Sequence, residues 1–165
     1  MIFRFCEWLE QVPWIVAVNS SATGAVIVEL IHYLSFFLLI GTIVFVDLRV
    51  LGIAARSKSV IAIAEQLLPF SWAGLVFATL SGFILFAGDA TAFFRADVFQ
   101  FKILVILAAA IVGFLVQWQV TRSRRSPDES LAAKFASKSL ALLSLVLWIG
   151  AILASLEVAA LTGLG

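Results

Sequence analysis

TGAVIVELIHYLSFFLLIGTIVFV, residues 23–46, is the stretch whose reading decides the fold. At 1.5 Å of rise per residue it reaches about 36 Å as a helix, enough to cross a hydrocarbon core of ~30 Å. Its apolar residues do not alternate, so it is not a barrel strand. Three further runs share these properties, at about residues 69–88, 98–120 and 131–156. Backbone polar groups facing lipid must be satisfied within the segment itself, which leaves helices. The fold class expected is all-α, a four-helix transmembrane bundle.

Composition agrees. The chain has 165 residues, 63% hydrophobic and 13% charged, with mean hydropathy +1.13. Soluble domains are nearer half apolar and a quarter charged, so lipid is the solvent. A net charge of +1 excludes a strongly basic nucleic-acid binder. The one cysteine, Cys6, allows no internal disulfide and no cysteine cluster, and reads as a small buried apolar residue. One integral domain is expected over residues 1–165, with residues 1–20 as a separate arm. Phe3, Phe5, Trp8, Leu9 and Val12 alternate loosely with Arg4, Glu7, Glu10 and Gln11 before Pro13, as in a short amphipathic interfacial helix. Glu7 and Glu10 interrupt what a signal peptide would need, so the first span is expected to do the targeting.

Local signals suggest boundaries. Pro69 suits the first turn of the second helix. Ser126-Pro127-Asp128-Glu129 reads as a capping box opening the fourth, where Lys134 and Lys138 can snorkel. Arg49, Arg56, Lys58, Arg122, Arg124, Arg125, Lys134 and Lys138 fall on one side, and Arg4, Arg95 and Lys102 on the other. The positive-inside rule makes the first side cytoplasmic. Both termini then face outward, which is periplasmic if the membrane is a bacterial inner one. Helix association through small residues points to Gly74, Ala78 and Gly82 on the second helix and Ala109 and Gly113 on the third. Ser144, Trp148, Ala151 and Ser155 form a stripe on the fourth. These read as contact faces within the bundle, with Trp148 in the core.

His32, the only histidine, lies three residues after Glu29 inside the first run. Ionisable groups at such depth are expensive and mark candidate sites. Asp89, Lys102 and Glu157 are expected near the same outer half. Two readings stay open for Glu29 and His32. One is a mutual hydrogen bond that fixes packing. The other is an outward-facing pocket holding a proton, a metal ion or a quinone head, with Asp89 and Lys102 as further ligand-binding candidates. A metal set of His32 and Glu29 is thin. No cofactor is expected, although one imidazole leaves room for a single-ligand haem. In the other half Asp47, Arg49 and Glu65 are expected at helix ends, with Asp47 and Arg49 anchoring the first loop. No zinc-protease, nucleotide-binding or nucleophile-elbow motif is present.

Val28-Glu29-Leu30-Ile31-His32, Asp47-Leu48-Arg49-Val50-Leu51-Gly52, Leu68-Pro69-Phe70-Ser71-Trp72-Ala73-Gly74, Ser81-Gly82-Phe83-Ile84-Leu85-Phe86, Phe99-Gln100-Phe101-Lys102 and Ser144-Leu145-Val146-Leu147-Trp148 together resemble an uncharacterised family of small bacterial four-helix integral membrane proteins. The topology is distantly similar to the membrane domain of copper-resistance protein D. The resemblance runs nearly end to end and implies fold and membrane location, not reaction. Many members carry asparagine where this chain has Val112 and histidine where it has Gln117, so a two-histidine cofactor is not implied here. Gln117 also lies more than ~10 Å in depth from His32.

The function expected is that of a non-enzymatic accessory subunit of a larger membrane complex. Its partners would be the lipid bilayer and other membrane subunits or a second copy, and no nucleic acid. The alternative is an outward-facing metal- or quinone-binding protein around Glu29 and His32, in a redox or copper-handling role.

Overall fold

A computed structural model describes residues 2–123 and 131–162. All seven elements among them are helices: α1 (Ile2–Glu10), α2 (Pro13–Ser20), α3 (Ala22–Val50), α4 (Val60–Gly88), α5 (Ala90–Arg95), α6 (Asp97–Ser123) and α7 (Leu131–Thr162). Helices α3, α4, α6 and α7 are each long and apolar enough to cross a membrane. The chain is therefore a multi-pass membrane protein. Up–down connections follow from the short loops, so α3 and α6 run one way and α4 and α7 the other.

Helix α4 starts nine residues before the position expected from Pro69. Ser59 is its N-cap, and its hydroxyl accepts from the Ala62 amide at 3.0 Å. Pro69 sits inside the helix. Residues 61–68, IAIAEQLL, favour helix strongly enough to continue through it, and neighbouring helices make an internal proline tolerable in membrane spans. Helix α3 likewise runs past residue 46 to Val50, opened by Ser21, whose hydroxyl accepts from Gly24 N at 3.2 Å. The capping box at 126–129 lies outside the described residues.

The α3–α4 loop is closed by Arg49. Its Nε and Nη2 donate to the Lys58 carbonyl at 2.9 and 2.7 Å, while Gly52 takes φ 80° at the turn. This is the anchoring geometry for Arg49. The Asp47 side chain takes no part in it, although its carbonyl accepts from the Leu51 amide at 2.9 Å.

The N-terminal arm is two helices rather than one, because Pro13 ends the first segment and opens α2. Cys6, Leu9 and Ile15 are buried against Ala87 and Ala90, which sits α1 and α2 on the α4–α5 end of the bundle. Glu10 Oε1 accepts from both the Thr91 amide and hydroxyl at 2.7 Å, so a residue of α1 caps α5. Phe3 packs edge-on to Phe94 and lies under Arg95. Together α1, α2 and α5 form a thin cap over one end.

Helices α3 and α4 pack along their length, as do α6 and α7, and the two hairpins meet chiefly through α3 and α7. Gly74 lets the two helices of the first hairpin approach closely. A Cβ there would stand 2.8 Å from Leu39 N and 2.9 Å from Ser35 O, both backbone atoms of α3. Ala78 is buried in the same face, one turn on. Leu39, Ile40, Ile43, Ala109, Trp148 and Ala151 form the central core. Helices α4 and α6 touch little. That seam of the bundle stays open.

Candidate functional site

His32 is half-buried on α3 and faces α4. Its Nδ1 lies 3.0 Å from Ala78 O and 3.2 Å from Ser81 Oγ. A carbonyl oxygen accepts and cannot donate, so Nδ1 carries the hydrogen. The Ser81 hydroxyl spends its own hydrogen on Phe77 O at 2.5 Å, which leaves its oxygen to share the Nδ1–H. The neutral ring therefore keeps its lone pair on Nε2. The ring rests against Gly82, where a Cβ would come within 2.9 Å of Cε1, and stacks on Phe36 at 6.3 Å between centroids. Phe36 in turn meets Trp148 edge-on at 6.2 Å.

The mutual Glu29–His32 hydrogen bond does not form. Glu29 Oε1 accepts from Tyr33 O–H at 3.2 Å on an exposed face, and His32 is bonded across to α4 instead. The helix accounts for the change: residues three apart are offset by about 60° around the axis, and only His32 points at the neighbouring helix. Glu29 and Lys102 remain close enough for both charges to act on the imidazole. Asp89 does not join them. It is exposed, and it lies about 12 Å along α4 from Ser81. It ends α4 and makes no side-chain cap on α5, a task Glu10 performs. The Glu157 side chain is outside the described residues. Among those residues no group of three or more His, Cys, Asp or Glu could hold a metal ion.

A second group of buried polar residues lies elsewhere, where the sequence suggested only helix-end charges. At the α3–α4 loop end of the bundle all four spanning helices contribute buried polar residues: Thr42 and Asp47 from α3, Ser71 from α4, Gln117 from α6 and Ser144 from α7. Ser71 Oγ donates to Thr42 Oγ1 at 2.9 Å. Gln117 Nε2 reaches Ser71 Oγ at the long distance of 3.5 Å. Asp47 is 1% exposed, and among the described residues the side chain turned toward its carboxylate is the Ser144 hydroxyl, beyond close hydrogen-bond geometry. Ser144 of α7 faces it, and Ser144 Oγ and Trp148 Nε1 are themselves buried without partners. Periodicity held the clue. Asp47 continues the core stripe of Leu39 and Ile43 at steps of four, and Gln117 continues that of Ala109 and Gly113.

A cavity of about 280 Å³ opens beside this layer, in the seam between α4 and α6. Ile43, Ser71, Gly113 and Gln117 are among the residues that line it. Trp72 and Phe114 meet edge-to-face at 6.4 Å across it.

No protein-family model, curated protein or solved structure matches the chain.

Proposed function

We propose that this chain is a non-enzymatic subunit of a larger membrane assembly, of the four-helix bacterial family it resembles. In this reading it sits in the inner membrane with both termini outward. The observation that carries it is the poor enclosure of α6. The spanning window of α6 is 11% buried, against 28% for α3, 28% for α4 and 22% for α7. Helix α6 packs along α7, hardly meets α3 or α4, and presents Leu104 and Leu107 outward. In an assembly this face receives the spanning helices of a partner, held by close packing rather than by escape from water. Purification from native membranes in mild detergent tests it. Stoichiometric partner subunits, or a defined homo-oligomer, are expected; a monodisperse single chain overturns it.

A second reading rests on His32. Its Nδ1 is tied to a backbone carbonyl, the arrangement that orients an imidazole for a ligand on the other nitrogen. Nε2 then accepts from a small hydrogen-bond donor entering from the capped end, with Lys102 and Glu29 setting the local charge. A metal at this nitrogen needs ligands from another chain. Nitrogen NMR of the His32 ring tests the arrangement: the Nδ1–H tautomer is expected, and the Nε2–H tautomer defeats it.

A further inference from the structure

We infer that the α3–α4 loop end of the bundle binds the head groups of anionic phospholipids, with Arg122 on the Trp118 ring as its best-defined contact. This goes beyond the subunit reading and does not depend on it.

Packing brings the charges to one level. Val46 of α3, Ile63 and Ala64 of α4, and Val116 and Val120 of α6 form one buried cluster, joined by Ala55 of the loop and Leu140 of α7. All four spanning helices therefore meet around a common plug. Gln119 Oε1 accepts from the Ser137 hydroxyl at 3.2 Å, which fixes the end of α6 against the start of α7. Around the plug stand Arg49, Arg56, Lys58, Arg122, Lys134 and Lys138, all but Arg49 exposed. Among the described residues the acids at this end are Asp47, which is buried, and Glu65. Toward the α1–α2–α5 end the balance reverses: Glu7, Glu10, Glu29, Asp89 and Asp97 outnumber Arg4, Arg95 and Lys102.

The loop holds its cations in place. Arg56 Nε donates to Gly52 O at 2.6 Å, and Arg49 holds Lys58 O. Each guanidinium keeps further N–H donors for a phosphate oxygen.

Depth selects lipid over a partner in water. Arg122 is in the last turn of α6, where an arginine reaching past the helix end would meet solvent. Its guanidinium carbon instead stands 5.2 Å from the Trp118 ring centroid, one turn back toward the spanning segment. Trp118 is itself exposed, as suits a tryptophan at head-group level. Ile53 in the loop and Phe135 beside Lys134 are 63% and 74% exposed, so apolar side chains are interleaved with the cations. Such a surface matches the boundary where acyl chains meet phosphates: the apolar side chains enter the chains and the cations hold the phosphates. An acidic protein or a nucleic acid approaching from water would leave the apolar members unmatched.

The test uses the full-length chain in phosphatidylcholine vesicles that contain brominated phosphatidylglycerol or, at equal mole fraction, brominated phosphatidylcholine. Bromine quenches tryptophan emission on contact. The Trp118 contribution is the difference between wild type and Trp118→Phe, and Trp8→Phe gives the same difference for the opposite end. One cation at an anionic membrane surface corresponds to about a fivefold preference. Brominated phosphatidylglycerol is therefore expected to associate beside Trp118 about fivefold more strongly than brominated phosphatidylcholine, with no preference beside Trp8. Arg122→Gln is expected to remove most of the preference and to leave helix content unchanged. Equal quenching of Trp118 by the two lipids overturns the inference and would turn these charges over to an acidic partner in water. An equal preference beside Trp8, or a preference unchanged by Arg122→Gln, overturns it as well. The comparison of the two lipids in wild type holds even if Arg122→Gln fails to fold.

Discussion

Gly74→Ala is the sharpest test of how the bundle is held together. The added Cβ would stand 2.8 Å from Leu39 N, 2.9 Å from Ser35 O and 3.0 Å from Leu39 Cα. All three are backbone atoms of α3, so no side chain can swing away. Restoring ordinary contact at about 3.4 Å requires α3 and α4 to part by roughly half an ångström along their shared face. Overpacking of this kind costs about 1–3 kcal/mol, or about 5- to 150-fold in the folding equilibrium. Gly41→Ala is the control, on α3 with nothing within 4 Å of its Cβ. Reversible unfolding in mixed micelles measures both. Gly74→Ala is expected to lose at least 1 kcal/mol and Gly41→Ala none. Equal stability of the two variants refutes the close α3–α4 approach.

Three other substitutions probe separate parts. Gly82→Ala presses on the His32 ring rather than on backbone, so a cost of about 1 kcal/mol is expected in wild type and none in a His32→Ala background. A double-mutant cycle with no coupling rules out the Gly82–His32 contact. Glu10→Gln weakens the two 2.7 Å bonds to Thr91; about 1 kcal/mol of local stability should go, seen as faster hydrogen exchange at the α5 amides, and unchanged exchange would show that α1 does not cap α5. Asp47→Asn removes a buried acid that has no close hydrogen-bond partner among the described residues, so stability is expected to hold or rise by about 1 kcal/mol; a loss above about 1 kcal/mol in the same unfolding assay would mean that the Ser144 hydroxyl facing it holds the carboxylate.

The spans were legible because an apolar run of membrane length satisfies its own backbone as a helix and buries its side chains in lipid. Gly74, Ala78 and Gly82 were legible through their spacing, which puts them on one face of α4. The start of α4 was not. Proline reads as a helix opener in an isolated sequence, whereas neighbouring helices let α4 continue through Pro69. His32 stood out as an ionisable group in an apolar run, but which neighbour it bonds depends on helix rotation, and a three-residue spacing suggested Glu29 where the fold supplies Ala78 O and Ser81. Asp47 was hidden by truncating α3 at residue 46. Once the helix runs to Val50, the spacing from Ile43 turns Asp47 inward. Gln117 and Ser71 are neutral, so a search for charges did not bring them together, and Gln117 drew notice only through the resemblance. The α4–α6 cavity depends on how two hairpins splay and has no linear signature.

Photocrosslinking from α6 in native membranes tests the central proposal most directly. A photoreactive side chain at Leu104 or Leu107, exposed on α6, should yield a discrete protein adduct of defined mass, with the same residue at Ile149 on α7, also exposed, giving less of it. Adducts to lipid alone at both α6 positions would contradict the assignment of this chain as a subunit of a larger assembly.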